Sequence, residues 1–131
     1  MKKIIRTKLA PAPIGPYNQA VVSGNLLFVS GQIALVPATG ELMLNNIREE
    51  TIQVMENLGA VLTAGGSSFK DIVKTSIFLS DMAHFQVVNE TYAEYFETDF
   101  PARETVQVAG LPRNVNVEIS VIAEVSNGDP Q

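Results

Sequence analysis

The stretch from Pro101 to Pro112 places an arginine at the start of a strand pattern. Polar and apolar residues alternate through its middle, in the order Thr105, Val106, Gln107, Val108. Alternation with a period of two predicts a β-strand, with Arg103 on the same face as the polar side chains. A guanidinium just after a rigid Pro-Ala step is well placed to hold a small anion. A solvated arginine on an edge strand is the alternative interpretation of this segment alone.

Three other residues with useful chemistry stand in or near predicted elements. Tyr17 ends the loop 10–17, and this loop is stiff because of the prolines in it. Two interpretations of Tyr17 are open: the ring covers the edge of the core, or the hydroxyl contacts a ligand. Glu118 lies in the predicted strand 115–125, on the face opposite to the valine, isoleucine and alanine residues at odd-numbered positions. His84 is the single histidine, so a multi-histidine metal site is excluded.

The composition limits the possible functions. The 131 residues carry a formal net charge of −5 and no basic run, which disfavours a nucleic-acid partner. Because cysteine is absent, disulfides, zinc–thiolate sites and cysteine nucleophiles are excluded. Arg6 and Lys8 interrupt the apolar start, so we do not expect this segment to be a signal peptide. No apolar run is long enough for a membrane span. We expect a cytoplasmic protein with one domain over residues 1–131.

The hydrophobic periodicity predicts three strands, a helix, a strand, a helix and two strands, in that order. The first helix follows Asn46, which forms a capping-box pattern with Glu49, and ends at a Gly-Gly pair. Gly24 predicts a hairpin turn, and Gly31 predicts a bulge or a close backbone approach inside the third strand. The predicted strands cover residues 3–9, 19–23, 26–33, 72–79, the segment after Arg103, and 115–125. The second helix runs from residue 80 or 81 to about residue 97.

Each predicted helix has one apolar stripe, so we expect both helices to pack on the same face of one mixed sheet. The opposite face is predicted to carry a mixture of side chains, including Ile33, Thr105, Gln107 and Ile122. A half-apolar face on so short a chain is typically covered by further copies of the same chain. The sequence therefore predicts an α+β fold and a homo-oligomer, with any site near the subunit seams.

A set of short motifs carries a resemblance to a known family. The motifs occur in the order Gly15-Pro16-Tyr17-x-Gln19-Ala20, Ser30-Gly31-Gln32-Ile33, Pro37-Ala38-Thr39-Gly40-Glu41, Glu56-Asn57-Leu58, Val88-Asn89-Glu90-x-Tyr92, Pro101-Ala102-Arg103 and Val117-Glu118-Ile119. As an ordered set, spanning about residues 10–125, they resemble the RidA (YjgF) family of reactive-intermediate imine deaminases.

The resemblance implies a chorismate-mutase-like α+β fold, with one mixed six-stranded sheet and two helices on one face. It also implies a homotrimer whose sheets form a central barrel-like core, with a site in each cleft between subunits. The implied reaction is hydrolysis of short 2-imino acids, such as 2-iminopropanoate and 2-iminobutanoate, to 2-oxo acids and ammonia. No metal, organic cofactor, nucleic acid or membrane partner is implied.

Matched residue by residue, the resemblance implies roles for the side chains introduced above. Arg103 would grip the substrate carboxylate with two parallel hydrogen bonds, supported by a backbone N–H near Thr105. Glu118 would hold and partly deprotonate the attacking water, and could then pass a proton to the departing nitrogen.

Four more residues are expected to complete the binding site. Tyr17 would close the cleft, and the backbone of Ser30 and Gly31 would line it. Asn89 is a weaker candidate, which would order a loop near the site.

The chain departs from the family pattern at two positions. Many members have a cysteine where this chain has Thr105, which leaves a backbone N–H in place but excludes thiol chemistry. Many have a serine where it has Asn18, a change expected to tune the loop. A rival hypothesis is a binding or regulatory module that holds a 2-oxo acid without turnover. A ribonuclease or translation inhibitor is disfavoured by the acidic charge and the isolated His84.

Overall fold

The computed structural model describes residues 1–125 as one six-stranded mixed sheet with two α-helices on one face. The strands are β1 (Lys3–Ile5), β2 (Ala20–Ser23), β3 (Leu26–Gln32), β4 (Ile72–Leu79), β5 (Ala102–Gln107) and β6 (Val117–Glu124), and the helices are α1 (Ile47–Ala64) and α2 (Phe85–Ala93). The order across the sheet is β1-β2-β3-β6-β4-β5, antiparallel except for the parallel β4–β5 pair. The predicted order of elements is confirmed. The sequence predicts a polar tail over residues 126–131, which lie outside the described residues.

Local sequence signals set the ends of several elements. Asn46 starts α1, because its side-chain oxygen accepts a hydrogen bond from the Glu49 N–H at 2.8 Å. The N–H of Gly65 reaches the carbonyls of the last turn and ends the helix there. Gly24 turns the β2–β3 hairpin with a φ of 62°, a left-handed value that glycine adopts without steric cost. These boundaries agree with the sequence prediction.

Two predicted elements are much shorter in the structure, and β2, β3 and β6 each lose one to three residues at their ends. β1 ends before residue 9, because the Thr7 N–H bonds to the Gln19 side chain rather than to a neighbouring strand. Helix α2 does not extend from residue 80 or 81 to about 97. Asp81 instead caps a separate 3-10 turn ahead of it. After α2, the N–H groups of residues 94–96 each donate a hydrogen bond to the carbonyl three residues back, which is the pattern of a 3-10 turn and not of an α-helix.

The hydrophobic core lies between the helices and the sheet. One stripe of α1 is completely buried and consists of Val54, Met55, Leu58, Val61 and Leu62. Burying one such side chain contributes about 1.5–3 kcal/mol. Packing against the sheet therefore contributes more to the stability of α1 than its caps do. Within residues 1–125, no helix has the length and apolar character that crossing a membrane requires.

The helix-covered face of the sheet includes residues that were predicted to lie on the other face. Parallel pairing aligns Arg103 with Thr75, and the Thr75 hydroxyl meets Tyr92 of α2. Arg103, Thr105 and Gln107 alternate along β5, so all three face the helices. The predicted placement of Thr105 and Gln107 on the opposite face was therefore wrong. Alternation shows which residues share a face but does not show which face that is.

The opposite face, called the open face below, carries apolar side chains that neither helix of the described chain covers. These side chains are Phe28, Phe78, Val106 and Ile122. Phe28 and Val106 are 39% and 43% exposed. Ile122 lies on this face as predicted, whereas Ile33 is buried in a small separate cluster with Leu35 and Val115.

Candidate active site

Arg103 lies at the start of β5, beneath α2. Its guanidinium donates a hydrogen bond to Asn89 Oδ1 at 2.8 Å. Its Cζ lies 5.1 Å from the centre of the Tyr92 ring and 5.9 Å from that of Phe85. Phe85, Asn89 and Tyr92 share one side of α2, because residues three or four positions apart are neighbours on a helix surface. The helix therefore holds the guanidinium through one neutral acceptor and two aromatic rings.

The positive charge of Arg103 has no carboxylate partner within residues 1–125. The ion pairs there are Arg48–Glu94 at 2.7 Å and Lys74–Glu104 at 3.1 Å. Arg103 faces a pocket of about 320 Å³, which is also lined by Asn89, Tyr92, Ala93, Phe100 and Pro101. An unpaired guanidinium at a pocket is suited to bind a carboxylate through parallel N–H donors.

Glu118 lies in a second cleft, of about 50 Å³, at the start of β6. The apolar part of its lining includes Ile14, Ile33, Leu35 and Pro112. Glu118 is half-buried, and its burial raises the pKa of this carboxyl above the ordinary value. No group within residues 1–125 donates a hydrogen bond to its oxygens. Such a carboxylate is able to bind a water molecule and accept its proton.

Gly31 makes room for the Glu118 carboxylate. The register of the β3–β6 pair shifts between Val29 and Gln32, which marks a bulge at this point. A Cβ atom added to Gly31 would overlap the end of the Glu118 side chain. Of the two predicted alternatives, the bulge is present, and the group that approaches Gly31 closely is the Glu118 side chain and not another backbone.

The loop 10–17 forms the outer wall of the Glu118 cleft and includes Tyr17. The buried Gln19 side chain clasps this loop through the backbone of Thr7, Ala10 and Pro11. Tyr17 is 46% exposed, and its hydroxyl accepts a hydrogen bond from the Ile14 N–H at 3.3 Å. Gln19 was not predicted to have a role, and its only signal in the sequence is its place in the motif that contains Tyr17.

The remaining predicted site residues differ in their hydrogen-bond partners. The Ser30 hydroxyl donates to the Asn18 carbonyl at 2.6 Å, so it is used within the chain beside Gly31. Asn89, predicted to order a loop, bonds to Arg103 instead. The Thr105 hydroxyl is buried without a hydrogen-bond partner in the part of the chain described.

The structure does not bring Arg103 and Glu118 together within one chain. Strand β4 lies between β5 and β6. Arg103 is on the helix-covered face, whereas Glu118 pairs with Phe78 on the open face. Each chain therefore presents two half-sites. The Arg103 half-site comprises Arg103, Asn89, Tyr92 and Phe85, and the Glu118 half-site comprises Glu118, Gly31 and Tyr17.

A second buried carboxylate fixes the strand that presents Glu118. Glu50 of α1 is fully buried and accepts hydrogen bonds from the Asn116 and Val117 N–H groups and from Asn116 Nδ2, at 2.8–3.1 Å. Glu118 follows these residues directly. No sequence signal separates Glu50 from an ordinary acidic residue in the first turn of a helix. Over residues 1–125, no three potential metal-binding side chains cluster.

Comparison with known proteins supplies independent evidence. Residues 7–125 match the family model described as Endoribonuclease L-PSP. A RutC family protein of Saccharolobus solfataricus is 51% identical over 126 residues, which are 96% of this chain and 100% of that protein. The 2-iminobutanoate/2-iminopropanoate deaminase of Mus musculus is 46% identical over 123 residues, 94% of this chain and 91% of that protein. The crystal structure of YyfA from Yersinia pestis, of the Rid protein family, has a TM-score of 0.93 at 48% identity and covers 95% of this chain and 100% of that one.

The mixed sheet, the two helices and these matches define a class of small α+β proteins that includes imine deaminases. The chain belongs to the Rid family, so the resemblance to RidA proteins is confirmed.

Proposed function

We propose that the protein is a 2-iminobutanoate/2-iminopropanoate deaminase, which hydrolyses short 2-imino acids to 2-oxo acids and ammonia. The observation that carries the proposal is the guanidinium of Arg103, unneutralised within residues 1–125 and facing a pocket. A 2-imino acid has a carboxylate beside its C=N carbon, so holding the carboxylate fixes the carbon that water must attack. We place the protein in the cytoplasm.

The proposed reaction needs two groups and consumes one water molecule. Arg103 binds the substrate carboxylate, an interaction that contributes about 1.5–3 kcal/mol. Glu118 takes a proton from water as the water oxygen forms a bond to the C=N carbon. The protonated Glu118 then returns the proton to the nitrogen, which gives a carbinolamine. Glu118 next takes the proton of the new hydroxyl group as the C=O bond forms and passes it to the nitrogen as the C–N bond breaks, so that ammonia and the 2-oxo acid leave. Acid–base help of this kind accelerates a reaction by about 10²–10⁴-fold.

A homotrimer would complete the site. Because the half-sites lie on opposite faces, each copy would give Arg103 to one neighbour and Glu118 to the other, in a head-to-tail ring. The open face supports this assembly, since the exposed Phe28 and Val106 would be covered. The sheets would then form the barrel-like core of a chorismate-mutase-like trimer.

The primary test generates 2-aminoacrylate or its four-carbon homologue in situ with a dehydratase and follows release of ammonia and 2-oxo acid. The protein should accelerate release, and Arg103→Ala should remove the acceleration. Arg103→Lys should also perform poorly, because lysine lacks the planar pair of donors. Arg6→Ala, the same change at an exposed arginine, is the control and should be neutral.

Two inactive variants test whether the site is shared. Arg103→Ala and Glu118→Gln chains are unfolded together, refolded and assayed as a mixture. With a shared site, about one quarter of the clefts in a randomly mixed ring regain both groups, so activity returns. If the refolded mixture stays as inactive as the separate variants, the shared site is wrong.

The same assays separate the rival functions. Binding of 2-oxobutanoate without acceleration of imine hydrolysis would support a binding module. Cleavage of RNA that survives Arg103→Ala would support the activity named in the family model. Glu118→Gln should keep ligand binding and lose rate, and an equal loss of binding would contradict the role proposed for Glu118.

A further inference from the structure

Helix α2 holds the Arg103 guanidinium with groups that carry no formal charge. The Asn89 amide oxygen accepts its hydrogen bond, and the rings of Tyr92 and Phe85 lie within 6 Å of its Cζ. We propose that Asn89 and Tyr92 are positioning residues, which orient Arg103 toward the substrate carboxylate without neutralising its charge. This inference rests on the proposed role of Arg103 in carboxylate binding. Asn89, which was predicted to belong to the substrate-binding site, is in this proposal a residue that acts on the substrate only through Arg103.

Tyr92 is itself fixed on the strand beside Arg103. Its hydroxyl donates to Thr75 Oγ1 at 2.9 Å, and the two residues are 3% and 0% exposed. Thr75 is the β4 residue aligned with Arg103. The Tyr92 ring therefore spans the gap between α2 and the sheet, and the guanidinium is held over a ring that is anchored at both ends. Burial raises the pKa of Tyr92, which keeps the phenol neutral at physiological pH.

The neutrality of position 89 has a specific consequence for anion binding. An aspartate there would have nearly the same shape as asparagine and would still offer an oxygen to the guanidinium at about the same place. Its charge, however, would compete with the substrate carboxylate for Arg103. The variant Asn89→Asp therefore changes the charge of the half-site while preserving its geometry.

The experiment measures binding of 2-oxobutanoate by calorimetry on the full chain, together with kcat and KM for the imine. Asn89→Asp should raise Kd and KM about ten-fold or more, since it weakens a charge-assisted interaction. Its kcat should stay within about two-fold of the unsubstituted value, and its melting temperature should not fall. Asn25→Asp, the same substitution in the exposed hairpin turn, is the matched control and should leave all these quantities unchanged.

Tyr92 is tested with a graded pair. Tyr92→Phe keeps the ring and loses the bond to Thr75, whereas Tyr92→Leu also loses the ring. Kd should increase in the order unsubstituted, Tyr92→Phe, Tyr92→Leu, with kcat little changed. A general loss of folding would instead appear as a fall in the fraction of binding-competent protein with unchanged Kd, and that result would overturn the inference for Tyr92.

Other outcomes separate this inference from the proposed function. If Asn89→Asp binds 2-oxobutanoate as tightly as the unsubstituted protein, the role of a neutral position 89 is wrong. If Arg103→Ala leaves the Kd for 2-oxobutanoate unchanged, the positioning inference is wrong, whether or not the protein hydrolyses imines. If Arg103 is needed for binding but no imine is hydrolysed, the deaminase proposal fails while the positioning inference stands.

Discussion

Replacing Gly31 by alanine is expected to displace the Glu118 carboxylate while leaving the fold intact. A Cβ atom at position 31 would lie 2.9 Å from Glu118 Cδ and 3.1 Å from Cγ, and closer still to one carboxylate oxygen. Carbon atoms in contact prefer a separation of about 3.5–4.0 Å, so the carboxyl group must move by about 1 Å. The group is the end of a flexible, half-buried side chain, and it can move without shifting the backbone.

The energetic consequences for stability and for rate differ. Gly31 does not have a left-handed φ, so alanine fits its backbone, and we expect the free energy of unfolding to change by no more than about 1 kcal/mol. Misplacing a reacting group by about 1 Å costs about 100-fold in rate. In the coupled dehydratase assay, kcat should therefore fall about 100-fold, whereas Kd for 2-oxobutanoate should stay within about three-fold, because Arg103 is unaffected.

Gly110→Ala is the matched control, since a Cβ atom there meets nothing within 4 Å and should change neither rate nor stability. Full activity of Gly31→Ala with a native-like melting curve would refute the reasoning, because Glu118 would then be displaced without effect. An equal loss of ligand binding and rate would also contradict it.

Three further predictions concern pH, stability and assembly. Burial raises the pKa of Glu118, so the folded state holds this proton more tightly than the unfolded state. The kcat should therefore fall as the pH drops through that raised pKa, because the proposed base becomes protonated. The residual activity of Glu118→Gln should not show this fall at acidic pH. By the same linkage, Glu118→Gln should melt no lower than the unsubstituted protein at pH 7. Any advantage should fade as the pH falls through the raised pKa of Glu118 and below the ordinary glutamate pKa, where the carboxyl is protonated in both the folded and the unfolded state. Glu50→Ala should lower the free energy of unfolding in urea by about 3 kcal/mol or more, because several buried N–H donors lose their acceptor, and a loss below about 1 kcal/mol would contradict this. Phe28→Asp should shift the protein to monomer in sedimentation experiments, whereas Val87→Asp, at a similarly exposed position on α2, should not.

The elements that depend on local chemistry were predictable from the sequence. The cap at Asn46 and the Gly-Gly stop define α1, and Gly24 defines the hairpin. Strand β4 begins and ends at the predicted residues. The end of α2 was not predictable in this way, because the aromatic residues that follow pack in a tight turn around Phe69 and not on a continued helix.

The arrangement of the candidate site residues was not predictable from the sequence. The alternation in β5 placed Arg103 and Thr105 together, yet only the parallel pairing with β4 shows that they face the helices. The contact between Arg103 and Asn89 joins residues 14 positions apart, and nothing in either segment indicates it. The contact between Gly31 and Glu118 likewise depends on which strands pair, a property of the whole sheet.

The separation of Arg103 and Glu118 within one chain has a chemical consequence for the proposed enzyme. If the two groups were in contact within one chain, they would form an ion pair that occupied the guanidinium and lowered the pKa of the carboxyl. On opposite faces, each group keeps the state that its proposed task requires: Arg103 without a carboxylate partner among the described residues, and Glu118 with a raised pKa. In an assembled ring the two groups would meet with the substrate between them, so that the substrate carboxylate, rather than Glu118, becomes the partner of Arg103. The oligomer would then be a requirement of the chemistry and not only of the apolar open face.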